Sequence, residues 1–127
     1  MLPRAARLRK NKDFQAVYSR RHSWATPRLA LYVRARAPQS GPSRFGFVIS
    51  KKVARRAHDR NRLKRRLREI CRRGLMPRLR PEAPVDALFV TRAPAPAAAF
   101  AELAADVDSL ARQAGLLAPS GSPSVGG

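Results

Sequence analysis

The sequence predicts an α+β fold, and three patterns predict it. Two stretches, RLALYVRAR from Arg28 and RFGFVIS from Arg44, alternate sides with the period of a half-buried strand. Three others place apolar residues at helical spacing, around Phe14, Leu63 and Leu103. The resulting order is helix, two or three strands, helix, strand, helix, which folds as a sheet with helices packed on one face. A chain of 127 residues suits one domain with its own core.

Taken in order, Asn11 is placed to cap a short helix that Lys12 opens and that runs to Arg20 or Arg21. Phe14, Val17 and Tyr18 fall at i, i+3 and i+4, on one face. The HSWATP stretch is extended or turning, because Thr26 precedes Pro27 and is pushed out of the α region. In the first strand Leu29, Leu31 and Val33 face one way and Ala30, Tyr32 and Arg34 the other. Pro, Gly and Ser mark a loop from Ala37 to Ser43. In the next strand Phe45, Phe47 and Ile49 oppose Gly46, Val48 and Ser50, and the two strands are expected to form an antiparallel hairpin.

A second helix follows, with Leu63, Leu67, Ile70 and Cys71 as its apolar stripe, Asp59 as its expected cap and Gly74 as its expected stop. Pro77, Pro81 and Pro84 make a loop before the apolar strand Val85 to Thr91. That strand is able to lie parallel beside the preceding one, across the helix. After a Pro-Ala break, Phe100, Leu103, Val107, Leu110 and Ala114 line a last helix ending near Gly115, with Glu102, Asp106 and Asp108 turned to solvent. The composition from Pro119 reads as a disordered tail, giving a domain of 1–117 and a tail of 118–127.

The net charge is +19, from 27 basic and 8 acidic residues. Charge this dense destabilises a compact chain unless a polyanion relieves it. Arginines outnumber lysines 22 to 5. A general bias toward Arg, Ala and Pro accounts for part of that ratio, but guanidinium pairs bidentately with phosphate and stacks on bases, which suits RNA. Cys71 is the single cysteine, so no internal disulfide forms. No apolar run approaches the roughly 18 residues of a membrane span, and the N-terminal stretch lacks the apolar core of a secretory signal. A cytoplasmic protein is expected.

Between Ser50 and Arg73 twelve Lys or Arg residues stand against two acids, Asp59 and Glu69. Away from the apolar stripe the helix collects Asn61, Lys64, Arg65, Arg68 and Arg72, with Arg62, Arg66, Glu69 and Arg73 on a flank. An ordinary solvated helix face mixes signs at i,i+4; here nearly every such pair is like-charged. A nucleic-acid surface explains this better than solvation does.

The stretch GFVISKKVARRAHDRNRLKRRLRE, from Gly46 to Glu69, closely resembles the signature of the bacterial ribonuclease P protein subunit. That signature is a strand, Ser-Lys-Lys, a loop, and Arg-Asn-x-x-Lys-Arg on a helix; Arg60, Asn61, Lys64 and Arg65 match it, with Arg68 one turn on. NKDFQAVY, RLALYV, VDALFVTR and the approach to FAEL match the family's other elements, so the resemblance covers most of the chain. The chain departs from the pattern at Ala54, Arg55 and Arg56, where a Gly and a small residue are usual, and at Asp59, where an apolar residue is usual. These departures concern the loop Ala54–Asp59, not the helix interior.

The resemblance implies a single-domain αβββαβα sandwich with a left-handed βαβ crossover, of the type also found in a ribosomal protein domain. It implies that Arg60, Asn61, Arg62, Lys64, Arg65, Arg68 and Arg72 bind the catalytic RNA subunit. It also implies that a cleft between the first helix and the sheet holds the 5′ leader of precursor tRNA, with Phe14, Val17, Tyr18, Tyr32, Phe47, Lys51 and Lys52 as the matching residues. From the residues alone, the aromatics favour filling the core over stacking bases; the resemblance reverses that preference.

No catalytic set is legible. His22 and His58 lie in different elements, no Cys/His spacing suits zinc, and no phosphate-binding glycine loop occurs. Asp13, near the first helix, is the residue placed to help hold Mg²⁺. This absence agrees with the resemblance, which implies an endoribonuclease whose RNA subunit performs Mg²⁺-dependent hydrolysis and holds most of the metal. The implied partners are that RNA and precursor tRNA, with no DNA and no membrane. The rival reading is a structural, ribosomal-type RNA-binding protein without a role in cleavage, which shares the basic helix but has no need of the cleft. Major-groove DNA binding lacks the helix that precedes a recognition helix. Membrane binding lacks free apolar residues, since Leu63, Leu67 and Ile70 are committed to the core.

Overall fold

Val85–Thr91 is apolar except for Asp86 and Thr91, the pattern of a strand covered on both faces. In the computed structural model, which describes residues 4–20, 22–92 and 99–117, it lies inside a four-stranded sheet. The elements are α1 (Asn11–Arg20), β1 (Ser23–Ala25), β2 (Leu29–Ala35), β3 (Arg44–Val48), α2 (Ala57–Ile70), β4 (Val85–Thr91) and α3 (Phe100–Gln113). The strand order is β1-β2-β4-β3. β2 pairs antiparallel with β1 and β4, and β3 pairs parallel with β4.

The expected β2–β3 hairpin is therefore absent: β4 inserts between them. Loop length did not decide the pairing; burial did. β4 hides every residue but Val90, which only an interior position with both faces covered allows. The β3–α2–β4 unit, with parallel adjacent strands, agrees with the sequence reading.

The helices are not on one face. Leu29, Leu31, Val33, Phe45, Phe47, Ala87 and Phe89 join Leu63, Leu67, Ile70, Leu103, Val107 and Leu110 in the larger core, beneath α2 and α3. The alternate positions, Tyr32, Val48, Leu88 and Val90, join Leu8, Phe14, Val17 and Tyr18 on the opposite face, beneath α1. α1 needs its own face because its apolar stripe is short and the larger core is already closed by two helices.

Helix ends also differ from expectation. The Lys10 carbonyl accepts from the Phe14 N–H at 3.1 Å, so Lys10, not Asn11, takes the cap position of α1. α2 starts at Ala57, before Asp59, which falls in the first turn where its charge opposes the helix dipole favourably. Gly74 does not stop the helix, since the chain continues through a π turn, Cys71–Leu75, and a 3-10 turn, Met76–Arg78. The end of α3 agrees with expectation: Gly115 follows it with φ 71°.

Asp106 and Asp108 do more than solvate α3. Asp106 Oδ2 accepts from Arg28 Nε at 2.6 Å, tying α3 to the start of β2. Asp108 accepts from Arg78 and from Arg112. The proposed tail, 118–127, lies outside the described residues, as does most of the Pro-Ala break.

Candidate nucleic-acid interface

α2 owes its place to three buried residues. Leu63, Leu67 and Ile70 are almost fully covered, and each contributes about 1.5–3 kcal/mol. Repulsion between like charges at i,i+4 costs only about 0.2–0.5 kcal/mol per pair. The apolar stripe can therefore hold a helix whose opposite face is almost wholly cationic. Asn61, Arg62 and Arg65 are exposed, and Lys64 and Arg68 are half-buried at the sides. Among the described residues Lys64, Arg65 and Arg68 enter no ion pair.

Two of the seven residues expected on this face are engaged within the chain. Arg60 Nη1 donates to the carbonyls of Ala54 and Arg55 at 3.0 and 2.8 Å, fastening the preceding loop to the helix. Arg72 forms a bidentate pair with Glu69 at 3.0 and 2.7 Å. That pairing, with Arg73 beside it, pulls the Glu69 carboxyl down to about 2. The loop Ala54–Asp59 opens with a turn in which the Ser50 carbonyl accepts from the N–H groups of Val53 and Ala54, both at 3.1 Å. Arg55, Arg56, Arg62 and Arg66 face Asp59 and Glu102 across an open groove of about 870 Å³.

The second surface is the α1 face of the sheet. Val17 is fully buried and, with Leu8 and Leu88, forms the floor. Tyr18 and Tyr32 meet edge to face, ring centroids 4.9 Å apart, and both remain half-buried. Burial, and then the neighbouring Tyr32, raise the Tyr18 phenol above its ordinary value, so it stays a neutral donor. Phe14 lies over Gly46: a Cβ there would stand 3.0 Å from Phe14 Cε1 and from Leu88 Cδ1. Val48 and Val90, half-buried on the same face, extend the apolar surface. The sequence reading missed them, although their even-numbered strand positions matched those of Tyr32 and Leu88.

Phe14, Val17, Tyr18 and Tyr32 are thus brought together in one cluster; Phe47 is outside it and shares only a pocket at the β3 edge with Phe14. Phe47 belongs to the larger core on the other face, where it stacks on Phe89 at 6.0 Å. Strand alternation required this, since Phe47 and Gly46 point to opposite faces. Lys51 and Lys52 are exposed in the turn after β3, at the end of the strand carrying Val48.

On this face lies a charged row across three strands, Arg34–Asp86–Arg44, set by the register. Asp86 has no exposed surface. It accepts from Arg34 Nη2 at 2.7 Å and from Arg44 Nε and Nη2 at 2.8 Å each. Burial raises its pKa, but the hydrogen bonds from Arg44 and Arg34 outweigh burial and leave it below the ordinary carboxylate value. Asp13 lies 3.6 Å from Arg44 Nη1, so it faces a cation rather than an open metal position.

Among the described residues no group of three or more His, Cys, Asp or Glu side chains is arranged to hold a metal ion. The two histidines, His22 and His58, are both exposed and lie in separate segments. Cys71 is fully buried, and burial raises its thiol pKa far above the ordinary value. Among the described residues no helix is long and apolar enough to cross a membrane.

The family model described as Ribonuclease P matches residues 2–115. A ribonuclease P protein component from a Synechococcus strain is 38% identical over 128 residues, covering 99% of this chain and 94% of its own. That from Gluconacetobacter diazotrophicus is 38% identical over 116 residues, covering 91% and 97%. Among solved structures, the RNase P protein of Staphylococcus aureus superposes with a TM-score of 0.77 at 26% identity, covering 91% of this chain and all of that one. The Thermotoga maritima protein gives 0.70 at 25% identity, covering 84% and 96%.

Proposed function

Because the chain belongs to the ribonuclease P protein family, we propose that its two surfaces divide the labour of a tRNA-processing ribonucleoprotein. α2 grips the catalytic RNA through Asn61, Arg62, Lys64, Arg65 and Arg68, with Arg60 and Arg72 shaping the helix ends. The α1 face holds the single-stranded 5′ leader of precursor tRNA, stacking unpaired bases on Phe14, Tyr18 and Tyr32, with Lys51 and Lys52 drawing the backbone. Phe47 is not part of that cleft. The endonucleolytic step belongs to the RNA partner, which also holds the Mg²⁺; the protein supplies affinity and cationic charge, lowering the demand for counterions between two crowded RNAs. The active particle is cytoplasmic, and neither DNA nor a membrane is a partner.

The observation that carries this reading is the half-exposure of Phe14, Tyr18 and Tyr32 on the sheet face opposite α2. A purely structural RNA-binding module has no use for a second, aromatic surface there. The test is binding of precursor tRNA with and without its leader to the assembled particle. Wild type is expected to favour the leader-bearing form. The Phe14→Ala/Tyr18→Ala variant, confirmed folded, is expected to lose about 1–3 kcal/mol per lost stacking contact for that form and nothing for leaderless tRNA. Equal loss for both forms, or no preference in wild type, refutes the leader role.

A further inference from the structure

The two surfaces lie on opposite faces of the sheet, yet they meet at one place. The segment before α1 runs beside the outer edge of β3: Arg7 bridges Phe45 in parallel register, and the Leu8 N–H donates to the Phe45 carbonyl at 2.7 Å. Leu8 is buried under α1. By alternation its neighbours Arg7 and Arg9 point the other way, toward the side of the edge on which α2 lies. A pocket of about 270 Å³ opens there, lined by Arg7, Arg9, Phe14, Phe47, Lys64 and Arg68, with β3 behind them.

Its composition sets it apart. Four cationic side chains from two separate segments converge on it and no carboxylate lines it. The groove at the start of α2 contains Asp59 and Glu102, and the apolar groove beside Phe100 contains Asp108. Lys64 and Arg68 have no ion-pair partner among the described residues. Phe14 contributes an aromatic ring to this pocket as well as to the cleft. Lys64 and Arg68, cations without an ion-pair partner among the described residues, beside an aromatic ring match a nucleotide, its phosphate held by Arg and Lys heads and its base against the ring.

We infer that this β3-edge pocket binds one nucleotide of single-stranded RNA, its phosphate held jointly by Arg9, Lys64 and Arg68 and its base against Phe14. The inference rests on the RNA-binding reading above and adds to it a junction where the cleft and the basic helix become one continuous track. The nucleotide comes either from the leader or from the RNA subunit, and the chemistry is the same.

The test scans single methylphosphonate linkages, which remove one phosphate charge, through the leader in one arm and through single-stranded segments of the RNA subunit in the other. The proteins are wild type, Arg9→Gln and Lys64→Gln. With wild type, one linkage is expected to stand out, its neutralisation weakening binding about tenfold. The same linkage should be silent in both variants, although the two residues lie on different elements. Removing the adjacent base should also weaken wild-type binding, by roughly tenfold or more. The arm that contains the sensitive linkage names the source of the nucleotide. If Arg9 and Lys64 report different linkages, or no linkage is sensitive while leader preference persists, the pocket is not a nucleotide site and the division of labour survives. If wild type shows neither leader preference nor binding to the RNA subunit, the underlying reading itself fails. Because the scan with wild type involves no protein change, misfolding of a variant does not obscure the result.

Discussion

Asp86 is the single acid on β4, and it has no exposed surface. Two guanidinium groups from the flanking strands make it tolerable there, and a third, on Arg36, lies 3.6 Å away. Asp86→Asn leaves those arginines without their counter-charge and is expected to destabilise the fold by about 2–4 kcal/mol, somewhat below the usual cost of a fully buried pair because the arginines keep some exposure. Urea denaturation measures it. The pH dependence has a definite sign. The folded carboxyl titrates below its ordinary value, so its contribution is complete above the ordinary range of about 3.9 and is lost as pH falls through the lowered value. The wild-type urea midpoint should drop on acidification more steeply than that of the Asn variant. Gly46 is a different kind of constraint. A methyl group there meets Phe14, Leu88 and Leu8 at 3.0, 3.0 and 3.1 Å, so Gly46→Ala should cost about 1–3 kcal/mol. It should also displace the Phe14 ring, weakening binding of leader-bearing substrate more than of leaderless tRNA.

At the scale of elements, α2 was the most legible, because its apolar stripe and its charge are both written at 3.6-residue spacing. Its beginning was not legible: Asp59 looks like a cap, but the cap is Arg56, three residues earlier, behind the turn from Ser50 and the bonds from Arg60 to Ala54 and Arg55. Strand existence was legible from alternation at Leu29–Val33 and Phe45–Ile49; strand order was not. Reading the strands as neighbours in space because they are neighbours in sequence gave a hairpin that β4 splits. The missed signal was that β4 is apolar at positions of both parities, which requires cover on both faces and hence an interior place. The same oversight put all helices on one face. Phe47 entered the expected cleft through the resemblance, whereas its parity sets it in the larger core against Phe89. For α2 the test is direct. Lys64→Gln/Arg65→Gln should lower the salt dependence of binding to the RNA subunit by about 0.7–0.9 in logarithmic slope per charge removed. Its urea midpoint should stay level or rise slightly as like-charge repulsion is relieved. A fall in stability without a change in slope would mark these residues as structural.

The whole molecule carries +19 over 127 residues, with 27 basic side chains against 8 acidic ones, so its carboxylates leave most cations uncompensated. Self-repulsion of this size makes stability dependent on anions. Sulfate or phosphate should raise the thermal midpoint by more than sodium chloride at the same ionic strength, as calorimetry or circular dichroism would show; equal effects would mean simple screening. Composition made the class of partner legible, and the motif from Gly46 to Glu69 made the family legible. The second RNA surface was half legible: Phe14 and Tyr18 announce a helix stripe, but only the placement of α1 alone on its own sheet face leaves their rings partly open. The most direct measurement is cleavage of a 5′-extended precursor tRNA by a matched ribonuclease P RNA at low Mg²⁺, with and without this protein, beside a protein-alone control. The account predicts that the protein restores cleavage that the RNA alone does not achieve, and that the protein alone is silent. Tight binding to the RNA with no gain in cleavage would contradict it.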